Sequence, residues 1–575
     1  MNRQENLRRL QAGKEVDLLV IGGGATGCGI ALDAATRGLE VALVERDDFA
    51  QGTSSKSTKL VHGGVRYLEK AILKCDKEQF NLVREGLRER GYLLRNASHL
   101  AHSIRLMTPV KTWFQAAYIF AGLVLYDLLA GRLSLGRSRL VRRATAKRLF
   151  PQLNLDEYVA AIIYYDGQFN DARMAVTLAR TAEAHGAACA NHVEVTDLVK
   201  ENGRVRGAVV RDQLTGESWT IKAKGVVNAT GPFADAIRRM DDPQAPVMLK
   251  VSSGIHILLN ARITPPDMSL MIPHTEDGRV LFMIPWMGHV LFGTTDEPAQ
   301  IERDPIPSES DVEYLLGYAQ QYLRQPVTRD DVLAVWSGLR PLVFDPYKSS
   351  TQELARTHVL NVSPSGLLTM AGGKWTSYRC MAEDAVTAAC AEFGLGNGRD
   401  SATRTLQLLG SRGHVPSSSE ELARHEGVAP ALADSLDSLY GDEARTVLAL
   451  GRELGLMERI HPAHPYIGAE VVFAARHEMA VHVSDVLLRR LPLGLVDMRH
   501  AREAAPVVAE IMGRELGWDE ARRANEVESV CRLLDAWFTG QGATAFRQAN
   551  TMAEAGLDKQ SLLCPEGKRP TAEAM

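Results

Sequence analysis

Residues 17–46 read DLLVIGGGATGCGIALDAATRGLEVALVER. An apolar strand, 17–21, enters a glycine turn in which Gly22, Gly24 and Gly27 follow the order G-x-G-x-x-G. A helical run, 26–37, is stopped by Gly38, and a second apolar strand, 40–44, ends at Glu45. Strand, turn, helix and strand in this order make a dinucleotide-binding unit. Gly22 permits the tight turn, Gly24 lets backbone approach a pyrophosphate, and Gly27 lets helix and strand pack closely. Ala25 and Thr26 open the helix, whose unpaired N–H groups and positive dipole end suit a pyrophosphate. Glu45 is placed to accept from a ribose, with Arg46 beside it. The unit alone does not choose between NAD and FAD.

The segment that follows, RDDFAQGTSSKSTKLVHGGVRYLEK (46–70), is dense in Gly, Ser, Thr and Lys. It is too long to be an idle loop in a compact domain. It also starts just past a strand end, where open α/β sheets collect ligands. Apolar spacing predicts helices over 75–94, 171–185 (with Asp171 as N-cap), 312–322 and 375–393. Short strand-like runs, 194–199, 205–211 and 218–222, are separated by the turn signals Asn202-Gly203 and Thr215-Gly216. Between 250 and 296, GIHILLN, RVLFMIPW and HVLFGTTD predict an antiparallel sheet, and 333–342, 358–362 and 367–373 return to strands. Residues 394–420 form a boundary rich in Gly, Ser and Arg. Residues 417–537 look nearly all helical, and the polar tail from 540 is expected to be mobile.

At 575 residues two or three domains are expected. A net charge of −4 gives no reason to expect nucleic acid. The seven cysteines (Cys28, Cys75, Cys189, Cys380, Cys390, Cys531, Cys564) are scattered and contain no C-x-x-C, a reduced intracellular pattern without a cysteine zinc site. Residues 1–16 lack an apolar signal core, so secretion is not expected. No unbroken apolar run reaches the roughly 20 residues of a spanning helix. No carboxylate pair, Ser-His-Asp order or metal-ligand spacing stands out, so no metal is expected.

VHGGVRYLE (61–69) completes a pattern. With IGGGATGCGIALDAATRG and TSSKSTKL before it, and DGQFNDARM, VNATGPFAD, MIPWMGHVLFGTTD, WSGLRPL and AGGKWTSYR after it, the chain resembles the FAD-dependent glycerol-3-phosphate dehydrogenases. These belong to the glutathione-reductase/amino-acid-oxidase flavoproteins. The C-terminal AEVVFAARHEMAVHVSDVLLRRL (469–491) resembles that family's helical end domain. The resemblance covers roughly 15–535 and implies FAD. The residues support FAD independently. Ala229-Thr230-Gly231 is a second small-residue turn after a strand. A glycine-rich strand end at Gly373 leads through Lys374 into a helix at Trp375 and Thr376, whose N–H groups suit a flavin that gains negative charge. Thr53, Ser54, Ser55, Lys59, Leu60, His62, Gly63 and Gly64 from the loop, and Val193 further on, complete the expected cofactor set.

The implied reaction is oxidation of sn-glycerol 3-phosphate to dihydroxyacetone phosphate. Such a site needs cations for a dianionic phosphate and a base for the hydroxyl proton. Arg66, Tyr67, Arg340 and Lys374 are the leading substrate contacts, with Arg356 and Arg379 weaker candidates and Thr295 lining the pocket. Arginine suits phosphate because its fork donates two parallel bonds. His62 is the first candidate base and His256 the second. Arg340 and Lys374 complete the catalytic set.

The expected fold is α/β: a discontinuous FAD-binding Rossmann-like domain (15–105, 165–245, 335–395), an inserted antiparallel-sheet substrate domain (106–164, 246–334) and an all-helical C-terminal domain (400–539). The resemblance implies a membrane quinone as electron acceptor. One rival is an oxidase that passes electrons to oxygen; another is a non-catalytic binding protein, against which His62, Arg66, Arg340 and Lys374 together argue. A homodimer is left open. TWFQAAYIFAGLVLY (112–126) has no charged residue, and Arg132, Arg137, Arg139, Arg142, Arg143, Lys147 and Arg148 follow with no acid between them. An apolar segment joined to a basic one suits an anionic membrane surface. The expected location is therefore cytoplasmic, peripherally bound to the inner face of the cytoplasmic membrane. A buried helix is the competing reading.

Overall fold

The computed structural model describes residues 1–65, 68, 76–273, 275–276, 278–344, 358–396, 398–415 and 417–540. Its first sheet grows from the glycine unit. Val16–Ile21 is flanked by Val41–Val44 and Ser218–Asn228, with Ala188–Ala190 and Leu367–Gly372 outside them, all parallel. His358–Val362 adds an antiparallel edge, and Val193–Glu201, Arg204–Asp212 and the first half of Ser218–Asn228 form a meander. That meander turns at Asn202 and Gly203, both with positive φ, as the Asn-Gly signal predicted. Full burial in the parallel sheet explains why 18–21 and 41–44 read as unbroken apolar runs.

Ala25–Thr36 packs between the sheet and the helices Asp171–Ala184 and Tyr378–Phe393. The approach is close: a side chain at Gly29 would stand 3.0 Å from the Tyr378 ring. Asp171 is not the cap of its helix. Asn170 is, accepting from the Arg173 N–H. Asp171 instead receives the buried Lys59 ammonium at 2.6 Å and the Ser57 hydroxyl at 2.7 Å. An N-terminal helix, Arg3–Gln11, escapes the apolar-periodicity reading because only Asn6 and Leu10 are buried on it.

The second sheet is mixed rather than purely antiparallel. Ser269–Ile272 runs parallel to Ala101–Val110, and the other pairs are antiparallel. Its long pair is Leu249–Leu259 with Val332–Val343. Residues 335–343, expected in the FAD domain, therefore belong to this sheet, as do Ala101–Val110 and Ala160–Phe169 throughout their lengths. Apolar runs do not reveal which sheet a strand joins, because register depends on partners far away in the chain.

The C-terminal helices close over the outer face of the second sheet. Trp286, Leu291, Ala334 and Trp336 share one core with Leu436, Val447, Val472, Leu487, Val508 and Trp537. Against the first domain the contact is ionic and buried. Asp48 accepts two bonds from Arg490 (2.7 and 2.9 Å) and one from Arg489 (2.5 Å). Arg173 pairs with Glu478 at 2.6 Å. Burial alone would raise the Asp48 carboxyl, but Arg490 and Arg489 hold it below the usual range.

Residues 112–130 form one helix, Trp113–Ala130, capped by Thr112. Ala116, Leu123, Tyr126 and Ala130 face the domain, while Trp113, Phe114, Tyr118, Val124 and Leu128 face out, Phe114 being 84% exposed. With the short turn after it, the element Trp113–Leu133 is 21 residues long, long and apolar enough to cross a membrane by length and composition. Counting unbroken apolar residues missed this because Asp127 and Arg132 interrupt the run. Arg132, Arg137, Arg139, Arg142, Arg143, Lys147 and Arg148 are all exposed, and Arg143 faces Asp156 at 3.0 Å.

Candidate active site

The glycine turn makes one wall of a long cavity. Gly22 has φ +108°, and a Cβ there would meet the Ala229 carbonyl at 2.7 Å. A Cβ on Gly27 would stand 1.7 Å from the Gly22 oxygen. Both positions exclude side chains for the reasons the spacing suggested. At Gly24 a Cβ would meet only the Ser54 hydroxyl, at 3.0 Å, so what it would fill is the cavity edge itself. Ser54 in turn accepts from the Ala25 N–H at 2.9 Å.

Gly22, Gly24, Ala25, Thr26, Glu45, Arg46, Thr53, Ser54, Val193, Ala229, Thr230, Gly231, Gly373, Lys374 and Trp375 all line this cavity. Glu45 accepts from the Gly23 N–H at 2.5 Å and the Asp47 N–H at 2.8 Å. Burial first, then the Asp47 charge, raises its carboxyl to about 7. Arg46 lies over the Phe233 ring at 4.7 Å. Trp375 is fixed by its indole N–H on the Ser54 carbonyl at 2.8 Å.

Three expected cofactor contacts turn elsewhere. Ser55 is buried and does not line the cavity. Lys59 is wholly buried, its ammonium taken by Asp171 and the Ser55 carbonyl and lying 5.3 Å from the Trp286 ring. Gly63 is a packing glycine: a Cβ there would meet Leu87 at 2.6 Å and the Tyr126 hydroxyl at 2.9 Å. Leu60, His62, Gly64 and Thr376 line the neighbouring cavity instead.

That second cavity, of about 380 Å³, shares Thr53, Pro341, Gly373, Lys374 and Trp375 with the first. Its walls carry Arg340, Lys374, Arg279, His62, His256, Thr295 and Asp166. The Arg340 guanidinium is held in place by the Thr294 hydroxyl (2.8 Å), the carbonyls of Thr295 (2.9 Å) and Ser253 (3.1 Å), and Asp296 (3.2 Å). It needs Gly254 beside it, where a Cβ would stand 2.1 Å from a guanidinium nitrogen. Thr295 is buried and accepts the Ile255 N–H, so its hydroxyl acts on the strand. Arg379 lies away from the cavity, bonded to Glu89. Arg66, Tyr67 and Arg356 lie outside the described residues.

The two histidines differ. His256 is buried, stacked on Trp336 with centroids 5.7 Å apart, and its Nε2 is 2.9 Å from the Thr58 hydroxyl. Burial, then Arg340 and Lys59, push its pKa well below the ordinary value, so the ring is neutral and weakly basic. His62 is half-buried on the cavity wall near Phe282, and its backbone N–H reaches the Thr376 hydroxyl at 3.3 Å.

Sequence reasoning missed Arg279, which pairs with Glu297 at 2.6 Å. It also missed a buried network behind His62. The Tyr126 hydroxyl accepts the Gly63 N–H at 2.7 Å and donates to Asp166 at 3.1 Å, and Arg90 donates to Asp166 at 2.6 Å. Burial, partly offset by Arg90, raises Asp166 to about 6. Asp166 opens the DGQFNDARM motif, which was the available signal.

Two chambers meet at residues 373–375, the first edged by backbone at Gly22 and Gly27 where no side chain fits, the second lined by cations and histidines. The fold and site define an FAD-dependent oxidoreductase, with the turns at 22–27, 229–231 and 372–375 as the residues that would hold FAD. Residues 17–379 match the family model described as FAD dependent oxidoreductase, and 401–523 match the C-terminal domain of alpha-glycerophosphate oxidase. The chain is 45% identical to the human mitochondrial glycerol-3-phosphate dehydrogenase over 93% of its own length and 75% of that protein. It is 44% identical to the mitochondrial glycerol-3-phosphate dehydrogenase of Arabidopsis thaliana over 92% of itself and 88% of the relative. Among solved structures, the glycerol-3-phosphate dehydrogenase from Bacillus halodurans complexed with FAD superposes with a TM-score of 0.76 at 28% identity, covering 93% of this chain and 97% of that one. The chain belongs to the FAD-dependent glycerol-3-phosphate dehydrogenase family.

Proposed function

We propose that this protein oxidises sn-glycerol 3-phosphate at C2 to dihydroxyacetone phosphate and passes the electrons to a quinone in the membrane on which it rests. The observation that carries the reading is the second chamber, where Arg340, Lys374 and Arg279 line one pocket with His62 against the segment shared with the cofactor cavity. FAD held by the first chamber would supply the hydride acceptor. Arg340 and Lys374 hold the dianionic phosphate. The acceptors around Arg340 fix its fork before substrate arrives, so little ordering is needed on binding. His62 takes the hydroxyl proton, because it stands half-buried on the cavity wall while burial strongly suppresses the basicity of His256. His256, neutral and stacked, shapes the wall beside Arg340. The test is anaerobic: glycerol 3-phosphate should bleach the yellow protein. Retained colour with bound FAD refutes the substrate reading.

The outward residues of Trp113–Ala130 and the exposed cations of 132–148 support attachment to an anionic surface, in our reading the inner face of the cytoplasmic membrane. The helix packs its other side on the domain, which favours lying on a bilayer over crossing it. Reduction of a short-chain quinone in vesicles, without stoichiometric hydrogen peroxide, would support the acceptor; peroxide matching substrate consumed would refute it.

A further inference from the structure

The helical domain contains a histidine cluster remote from the FAD site. His461 and His464 stand in the loop 455–467 between the helices Ala444–Leu454 and Gly468–Glu478, and His500 is in the first turns of Met498–Leu516. Each ring offers a nitrogen, and the three nitrogens lie within 4.8 Å of one another. His464 Nε2 is 3.0 Å from His500 Nδ1, and the His461 and His500 rings stack with centroids 4.3 Å apart. A carboxylate stands at the edge of the group: Glu503 Oε2 is 3.0 Å from His461 Nε2. His461 Nδ1 accepts the Ala463 N–H at 3.3 Å, which leaves Nε2 as the ligand nitrogen.

We propose that His461, His464 and His500 bind a divalent transition metal, Zn²⁺ fitting best, with Glu503 as the fourth ligand. Three imidazoles and a carboxylate match the ligand preferences of zinc. A tetrahedral ion with bonds of about 2.0–2.1 Å separates its ligand atoms by roughly 3.3 Å. The two 3.0 Å contacts, His464 to His500 and Glu503 to His461, need a shift of a few tenths of an ångström; the other imidazole spacings, which reach up to 4.8 Å, must close further, and the exposed Glu503 side chain must turn inward. His461 and His464 are nearly buried, which keeps competing water away, while Glu503 is exposed and gives the ion a way in. A further carboxylate, Asp497, has Oδ2 3.1 Å from the same His500 Nδ1 that faces His464. His289, at the start of the strand His289–Gly293, stacks on His464 with centroids 6.3 Å apart. The metal would tie a helix-connecting loop to the Met498–Leu516 helix directly under the substrate sheet, stabilising the folded state by mass action.

The experiment uses the tag-free, FAD-loaded full chain, stripped with chelator and dialysed against micromolar free Zn²⁺. Wild type should retain one zinc per chain, and Co²⁺ in its place should give the visible d–d band of a tetrahedral site. His464→Gln with His500→Gln should lose the zinc, while His185→Gln, at an exposed histidine elsewhere, should keep it. Flavin absorbance reports whether each variant is folded. Wild type that retains no zinc, or a folded double variant that retains as much as wild type, overturns the proposal and leaves a hydrogen-bonded histidine cluster only.

Discussion

Replacing Arg340 by alanine isolates the part of the site assigned to the phosphate. The guanidinium lies in the cavity wall with 21% of its side chain exposed, so solvent screens it only in part. A hydrogen bond to a charged group contributes about 1.5–3 kcal/mol. At about 1.4 kcal/mol per decade this becomes a loss of roughly 10- to 150-fold in kcat/KM for glycerol 3-phosphate. Arg340→Lys keeps the charge but loses the planar fork and should fall between wild type and alanine. The carbonyls of Ser253 and Thr295 lose a donor in either variant, but they border the cavity, where water can replace it. Flavin content should therefore remain near wild type, and this is measured first. The assay is anaerobic stopped-flow reduction, run in parallel with glycerol 3-phosphate and with unphosphorylated glycerol at high concentration. The loss should appear with the phosphorylated substrate and be small with glycerol. Equal losses for both would refute phosphate recognition by Arg340.

Gly27→Ala puts a methyl group 1.7 Å from the Gly22 oxygen, so the variant should purify colourless, and full flavin absorbance would contradict the cradle. His62→Asn should slow flavin reduction by about a hundredfold or more with little change in substrate affinity, and more than His256→Asn does; the reverse order would exchange their roles. Glu470 is buried and raised to about 8, above its ordinary 4.5, so its protonated form favours the fold. That contribution is whole below about 4.5 and is lost as pH rises to about 8, so Glu470→Gln should flatten the decline of melting temperature between pH 5 and 8; an unchanged slope would rule this out. Arg139→Glu with Arg142→Glu should weaken binding to anionic vesicles by about 2 kcal/mol or more while dye-linked activity persists, and Phe114→Ser with Leu128→Ser should weaken it even at high salt; unchanged binding by both pairs would refute the membrane face.

The cofactor half of the site was legible because its signals are local. Turn, helix and following acid lie within 30 consecutive residues, and small side chains there have a steric cause visible in the spacing. Charged residues were read less well. Lys59 and Arg340 are both cations in glycine-containing stretches, yet one is buried on Asp171, 112 residues on at a helix start, and the other lines a cavity, held by residues 44 to 87 positions earlier. The Asn170 cap was missed by one residue because Asn and Asp both cap well, and only the Lys59 partner shows why Asp171 is otherwise engaged. Tyr126 sat inside an apolar run and read as hydrophobic, although its hydroxyl serves Gly63, 63 positions earlier. The histidines at 461, 464 and 500 had no recognisable spacing, since a 36-residue separation is closed only by helix packing.

The buried pairing of Asp48 with Arg489 and Arg490 bears on how the chain reaches its native state. During synthesis the glycine turn, its sheet and Asp48 are made first, while the two arginines arrive more than 400 residues later. Until then a carboxylate destined for the interior has no counter-charge, and a buried pair broken from one side costs about 3–5 kcal/mol. The nascent N-terminal portion must stay partly open, with Asp48 hydrated, until the final helices dock. Fragments ending near residue 400 should accordingly be recovered as insoluble or chaperone-bound material, and adding the separate helical portion in trans should restore solubility only if both arginines are intact.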